Sequence, residues 1–242
     1  MTMAHALGKG SVVAVVGSGA MGTGIAQVAA AAGCKVVLFD ARPEAVKASI
    51  TGICNMYGKL AEKGKMTDEE VQAASDRLNG ASSLAELKDA AIVIEAIVES
   101  LDVKRTLFAD LEGIVHDDCI LATNTSSISV TAIAARLRLP QRLVGMHFFN
   151  PVPLMALVEV ISGLATDRAV ADTVYATAAA WGKKPVHAKS TPGFIVNRVA
   201  RPFYAEGLRL LQEQAADAAT LDAVMREAGG FRMGPFELMD LI

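Results

Sequence analysis

Aromatic residues are scarce, at 5 % of 242 residues with a single tryptophan, so the 52 % hydrophobic content is mostly aliphatic. A core built from Ala, Val, Leu and Ile suits an α/β protein, and the length allows one large domain or two. Cysteine is also sparse. Cys34, Cys54 and Cys119 are odd in number and far apart, which excludes a disulfide framework and a C-x-x-C pair and fits a reducing cytoplasm. A strong excess of acidic or basic residues is absent too. A net charge of −3 leaves no electrostatic case for nucleic acid or an anionic membrane as the main partner. Long apolar runs are missing: the stretch from Ala90 to Val98 is interrupted by Glu95 and is far short of a membrane span. The start, MTMAHALGKG, has no apolar core of the signal-peptide kind. With no repeats and no low-complexity segment, a soluble cytoplasmic chain is expected.

What is present is concentrated between Ser11 and Asp40. Val12, Val13, Val15 and Val16 form a β-branched run that stops at glycine, which reads as a buried strand. Gly17, Gly19 and Gly22 follow at G-x-G-x-x-G spacing, with Ser18, Ala20 and Met21 between them. A small-residue helix runs to about Ala32, Gly33 ends it, and Val36 to Phe39 form a second buried strand ending at Asp40. Gly17 allows the tight turn, Gly19 keeps side chains off an approaching pyrophosphate, and Gly22 lets the helix pack on the sheet. The helix N-terminus offers N–H groups and positive dipole to phosphate. Asp40, 23 residues after Gly17, stands where a carboxylate accepts from ribose hydroxyls. It would repel a 2′-phosphate, so NAD is favoured over NADP, with Arg42 the one feature that softens this. The unit reads as a dinucleotide-binding βαβ unit.

Past Pro43, placed at the first position of a helix, helices are expected from Glu44 to about Lys63 and, behind the capping-box pair Thr67 and Glu70, to about Leu78. This excursion carries Lys47, Lys59, Lys63 and Lys65, either to cover a ligand or as a solvated basic face. Further strands are expected at 91–94, 119–122, 143–146, 157–161 and 184–188, with helices between them except in the 147–153 loop. The βα alternation predicts a Rossmann-type, doubly wound, mostly parallel sheet over residues 1–188, with the excursion at 43–80. From Lys189 the chain reads as helices only, so residues 189–242 are expected to begin an all-α domain that stops incomplete.

The polar run Thr123 to Ser127 lies where open α/β sheets place ligands, although Ser and Thr also serve as helix caps. Among four histidines, His147 alone follows a core strand into a proline-fixed loop, here Phe148 to Pro153. Dehydrogenation of an alcohol needs a group that takes the hydroxyl proton, and histidine titrates in the useful range. Glu159, on an apolar strand with Leu157 and Ile161 on its face, can orient that histidine if the Asn150–Pro153 turn sets the strands side by side.

The stretches GSGAMGTGIAQVAA, NTSS, HFFNPVPLMALVEVI, TPGFIVNR and MGPFELMDLI, in this order from about Val12 to Ile242, resemble the 3-hydroxyacyl-CoA dehydrogenase family, most of all its bacterial phenylacetate-degradation branch. The resemblance implies His147 as general base, Glu159 as its partner, Ser126 as a hydrogen-bond partner of the substrate oxygen, and Asn197 as a further substrate-positioning group. It implies cofactor contacts from Gly17 through Gly22 (Gly17, Ser18, Gly19, Ala20, Met21, Gly22), Asp40, Glu99, Lys104 and Asn150. It also places coenzyme A along the excursion, where Lys63 matches a contacting lysine. The implied reaction interconverts (3S)-3-hydroxyacyl-CoA and 3-oxoacyl-CoA with NAD, in a homodimer joined through the helical domain. Two other readings stand beside it: a non-catalytic NAD-binding module, and a dehydrogenase of free hydroxy acids.

Overall fold

A computed structural model of the chain describes residues 5–241. The first four residues, part of the start read for a signal peptide, and Ile242, where the last helix is expected to break off, lie outside them. The chain divides into two compact units, Met1–Pro192 and Gly193–Ile242.

The first unit is an eight-stranded sheet with helices. In chain order it runs β1 (Val12–Val16), α1 (Ala20–Ala31), β2 (Lys35–Phe39), α2 (Pro43–Glu62), α3 (Asp68–Ser75), β3 (Leu78–Gly80), β4 (Ile92–Glu95), α4 (Leu101–Glu112), β5 (Ile120–Thr123), α5 (Val130–Ala134), β6 (Leu143–Phe148), β7 (Leu157–Ser162), α6 (Arg168–Ala180) and β8 (Lys184–Lys189). The strand order is β3-β2-β1-β4-β5-β6-β7-β8. Every pairing is parallel except β6 with β7, so the doubly wound, mostly parallel sheet expected from the βα alternation is what forms. The strand order reverses between β1 and β4, and that crevice at the carboxyl ends is where such sheets hold ligands.

Local sequence explains most of the elements. Burial on both faces suits the near-continuous Val and Ile runs of β1 and β4. Pro43 opens α2, and α3 is closed at its start by a reciprocal capping box: Glu70 N–H donates to Thr67 Oγ1 at 3.2 Å and Thr67 N–H to Glu70 Oε2 at 2.9 Å. Most expected strand ends shift by one residue, and two departures are larger. Leu78, expected to end a helix, instead begins β3, a three-residue edge strand parallel to β2 in which only Leu78 is buried. His147, expected in a loop, lies inside β6, because pairing with β7 carries the strand through Phe148. No helix among the described residues is long and apolar enough to cross a membrane.

The second unit consists of α7 (Val196–Gln212), α8 (Ala218–Glu227) and α9 (Pro235–Leu241). Its joint is polar. The buried carboxylate of Asp222 accepts from Phe236 N at 2.9 Å and Glu237 N at 3.1 Å, satisfying the first turn of α9. Gly234 has to be glycine beside it, since a Cβ there would stand 2.2 Å from Asp222 Oδ1.

Candidate active site

Two of the three glycines in the turn tolerate nothing larger. Gly17 takes φ +102° and a Cβ there would come within 2.4 Å of the Ala96 carbonyl oxygen. A Cβ on Gly22 would meet the Gly17 carbonyl oxygen at 1.8 Å. Gly19, by contrast, has nothing within 4 Å of its Cβ position and sits at the N-cap of α1, which no side chain caps among the described residues. Two glycines therefore serve packing, and the third leaves open space over a helix N-terminus.

Asp40, at the end of β2, accepts from Ser18 N and Ser18 Oγ, both at 2.8 Å, and from Arg42 N at 3.0 Å. Burial works against its charge, but these bonds prevail and hold the carboxyl below the usual carboxylate range. A cavity of about 820 Å³ opens between Gly17, Gly19 and Asp40 on one side and Ile97, Val103 and Leu107 on the other. An acid at one rim, aliphatic walls and an open helix N-terminus fit a ribose, an adenine and a pyrophosphate.

Next to it, the carboxyl ends of β4 and β5 carry a buried charge network. Glu95 is fully buried and opposes Thr123 in the β4–β5 register. One of its carboxylate oxygens takes Lys104 Nζ at 2.6 Å and Ile97 N at 2.8 Å, and the other takes Thr123 Oγ1 at 2.6 Å. Lys104, 1 % exposed, also lies 3.2 Å from Glu99. Glu99 in turn gathers the polar run: Thr125 Oγ1 at 2.5 Å, Ser126 N at 3.0 Å and Ser127 N at 3.1 Å donate to one of its oxygens. The Ser126 hydroxyl reaches the same oxygen at 3.4 Å. The polar run is thus neither a plain set of caps nor an open patch; Glu99 folds it into a loop.

Burial opposes ionisation of Glu99, yet the hydrogen bond from Thr125 and the Lys104 charge outweigh it and bring the carboxyl down from 4.5 to about 2. A carboxyl depressed in the folded state stabilises above its unfolded pKa, and that stabilisation is lost as pH falls through the folded value. Glu99→Gln is therefore expected to flatten the acid side of the stability profile between pH 4.5 and about 2, read by denaturant titration at several pH values. Parallel acid limbs in the two proteins would disprove it.

His147 and Glu159 face each other across β6 and β7 in antiparallel register. His147 Nδ1 lies 2.7 Å from Glu159 Oε2, with the residues 5 % and 0 % exposed. A carboxylate only accepts, so Nδ1 carries the proton and the lone pair of the neutral ring belongs to Nε2. Phe149 tilts against the imidazole with ring centres 4.5 Å apart. The serine loop is fastened to the same strand end, since Asn124 Oδ1 accepts from Phe148 N at 2.9 Å.

The structure thus brings together the glycine turn with Asp40, the Glu99–Lys104 pair with Ser126, and His147 with Glu159. Asn150 is exposed just beyond β6, Lys63 is exposed at the end of α2, and Asn197 lies in the first turn of α7 in the second unit. The Lys104 amine lies between Glu95 and Glu99. Glu95 and Thr123 were not foreseen as parts of this network. The available signal was a carboxylate closing an otherwise apolar buried run.

Comparison with known proteins follows the same division. Residues 12–191 match the family model of the 3-hydroxyacyl-CoA dehydrogenase NAD binding domain, and residues 193–242 that of the 3-hydroxyacyl-CoA dehydrogenase C-terminal domain. The chain is 50 % identical over 230 residues to the 3-hydroxyadipyl-CoA dehydrogenase of Escherichia coli K12, covering 95 % of this chain and 48 % of that protein. It is 44 % identical over 230 residues to a probable 3-hydroxybutyryl-CoA dehydrogenase of Bacillus subtilis, covering 95 % and 80 %. The crystal structure of 3-hydroxybutyryl-CoA dehydrogenase from Escherichia coli K12 superposes with a TM-score of 0.94 at 48 % identity, over 97 % of this chain and 50 % of that one. The chain therefore spans about half the length of the Escherichia coli proteins it matches. With the two matches falling in order on the two units, the chain belongs to the 3-hydroxyacyl-CoA dehydrogenase family and carries its NAD-binding domain.

Proposed function

We propose that the protein interconverts (3S)-3-hydroxyacyl-CoA and 3-oxoacyl-CoA with NAD⁺ and NADH. The observation that carries this reading is the buried His147–Glu159 pair, set beside a dinucleotide-binding crevice at the carboxyl edge of the sheet. When bound, NAD supplies the hydride acceptor and donor. His147 Nε2 takes the hydroxyl proton as C3 is oxidised and returns it on reduction. Glu159 holds the ring in the tautomer this needs and stabilises the imidazolium that forms. The Ser126 hydroxyl hydrogen-bonds the substrate oxygen, with Glu99 fixing its loop. Gly17 to Gly22 receive the pyrophosphate, Asp40 the adenosine ribose, and Asn150 and the Glu99–Lys104 pair the nicotinamide half. Lys63 contacts coenzyme A, and Asn197 positions the substrate.

The finer reading is a soluble cytoplasmic enzyme of the phenylacetate-degradation type that pairs with a second copy through its helical unit. The 3-hydroxyadipyl-CoA dehydrogenase name of the Escherichia coli relative supports a dicarboxylic acyl-CoA as the substrate of that type. Exposed Val199, Leu208 and Val224 on α7 and α8 support the pairing surface.

Oxidation of NADH and NADPH with acetoacetyl-CoA and with acetoacetate tests the reading. Turnover is expected with the thioester and not the free acid, and NADH is expected to be preferred about a hundredfold because Asp40 repels a 2′-phosphate. Equal rates with free acetoacetate would make the protein a hydroxy-acid dehydrogenase. NADH binding without turnover of any thioester would leave only a nucleotide-binding module.

A further inference from the structure

Lys183, in the turn between α6 and β8, has only 9 % of its surface exposed. Its amine donates to two main-chain carbonyls of one loop, that of Met155 at 2.9 Å and that of Val152. Burial alone lowers its pKa from the ordinary lysine value, with no carboxylate contribution. A buried ammonium is costly, and an apolar side chain of the same length would fill the space more cheaply. What the amine adds is the fixing of those two carbonyls.

The loop that it fixes joins the histidine strand to the glutamate strand. It leaves β6 just after His147, turns at Pro151, whose carbonyl accepts from Leu154 N and Met155 N, both at 3.0 Å, and enters β7 before Glu159. Val152 is buried beneath it against α1, the helix behind the glycine turn. A Cβ on Gly24 would stand 2.8 Å from Val152 Cβ, so glycine there lets the loop lie directly on that helix. The neighbouring Lys184 N–H donates to the Ala156 carbonyl at 2.7 Å and secures the far end.

We infer that Lys183 is a positioning residue, whose amine ties the 151–155 loop, where it lies on α1, to the α6–β8 turn and so sets the distance between the His147 base and the dinucleotide. The inference rests on the proposed function for its catalytic readout and on the loop alone for its structural one. It acts on turnover through His147 without touching the reactants.

Lys183→Met keeps the length and removes the donors; Lys183→Arg keeps charge and donors. In the 242-residue chain, Lys183→Met is expected to lower kcat with acetoacetyl-CoA about tenfold to a hundredfold, with KM and NADH affinity within about threefold, the pattern of a misplaced catalytic group. Lys183→Arg is expected to restore most of that rate. Amide exchange at Leu154 and Met155 is expected to accelerate in Lys183→Met and not in Lys183→Arg, with β6 and β7 still protected. Unchanged kcat in Lys183→Met overturns the inference. So does an equal loss of kcat and NADH affinity in both variants, which would mark a merely structural lysine. If the wild-type chain turns over no thioester, the proposed function fails by itself. The exchange measurement then decides the clamp, and unaltered exchange at Leu154 and Met155 rejects it.

Discussion

His147→Gln is expected to lower turnover of acetoacetyl-CoA by about 10³- to 10⁴-fold while NADH still binds, because proton transfer by a positioned base contributes on that order. Glutamine is close in volume and can still meet Glu159, so the β6–β7 pairing should survive. What disappears is a group able to take and return the hydroxyl proton. Glu159→Gln separates the two roles of the pair. The carboxamide keeps the shape but can donate to Nδ1, which moves the ring proton to Nε2 and removes the lone pair the reaction uses; a loss of about 10²- to 10⁴-fold is expected. Steady-state rates with NADH fluorescence as the binding control check both. If either variant stays within about tenfold of wild type, the histidine–glutamate pair is not the acid–base machinery.

The parts of this site that the sequence revealed are those encoded locally. The β1–α1–β2 unit could be read because valine runs, glycines and a terminal acid occur within one stretch of chain. The capping box of α3 was legible for the same reason. Expecting Glu159 beside His147 needed only one turn between neighbouring strands, and the pairing found is direct, His147 opposite Glu159. The Glu95 network was not legible. Its partners come from β4, α4 and the end of β5, and nothing short of the β4–β5 register places Thr123 opposite Glu95. The strand β3 escaped for a different reason. Of its three residues only Leu78 is buried, and Asn and Gly have little strand preference, so pairing with β2 makes the strand rather than its own composition. Lys63, Lys104 and Asn197 were singled out by family resemblance; burial and spacing alone did not mark them.

That hidden network carries the second large effect. Lys104→Met is expected to cost about 3–5 kcal/mol of stability, since breaking a buried pair leaves the remaining charge uncompensated. Glu95 is 0 % exposed, and its short contact with Lys104 Nζ, at 2.6 Å, is its only ion pair among the described residues. Ile97 N–H and the Thr123 hydroxyl would remain as donors, which favours the lower end of that range. For a chain of this size the change corresponds to a fall in Tm of about 10 °C. Methionine supplies similar length and packing, so the loss should come from charge and not from a cavity. Adding Glu95→Gln to Lys104→Met tests this directly. The amide keeps hydrogen bonding to Ile97 and Thr123 without a stranded charge, and the double variant is expected to regain at least half of the lost stability in denaturant titrations. A double variant no more stable than Lys104→Met would mean that the lysine holds α4 and the Glu99 loop in place by itself, and that Glu95 is satisfied by its neutral donors alone.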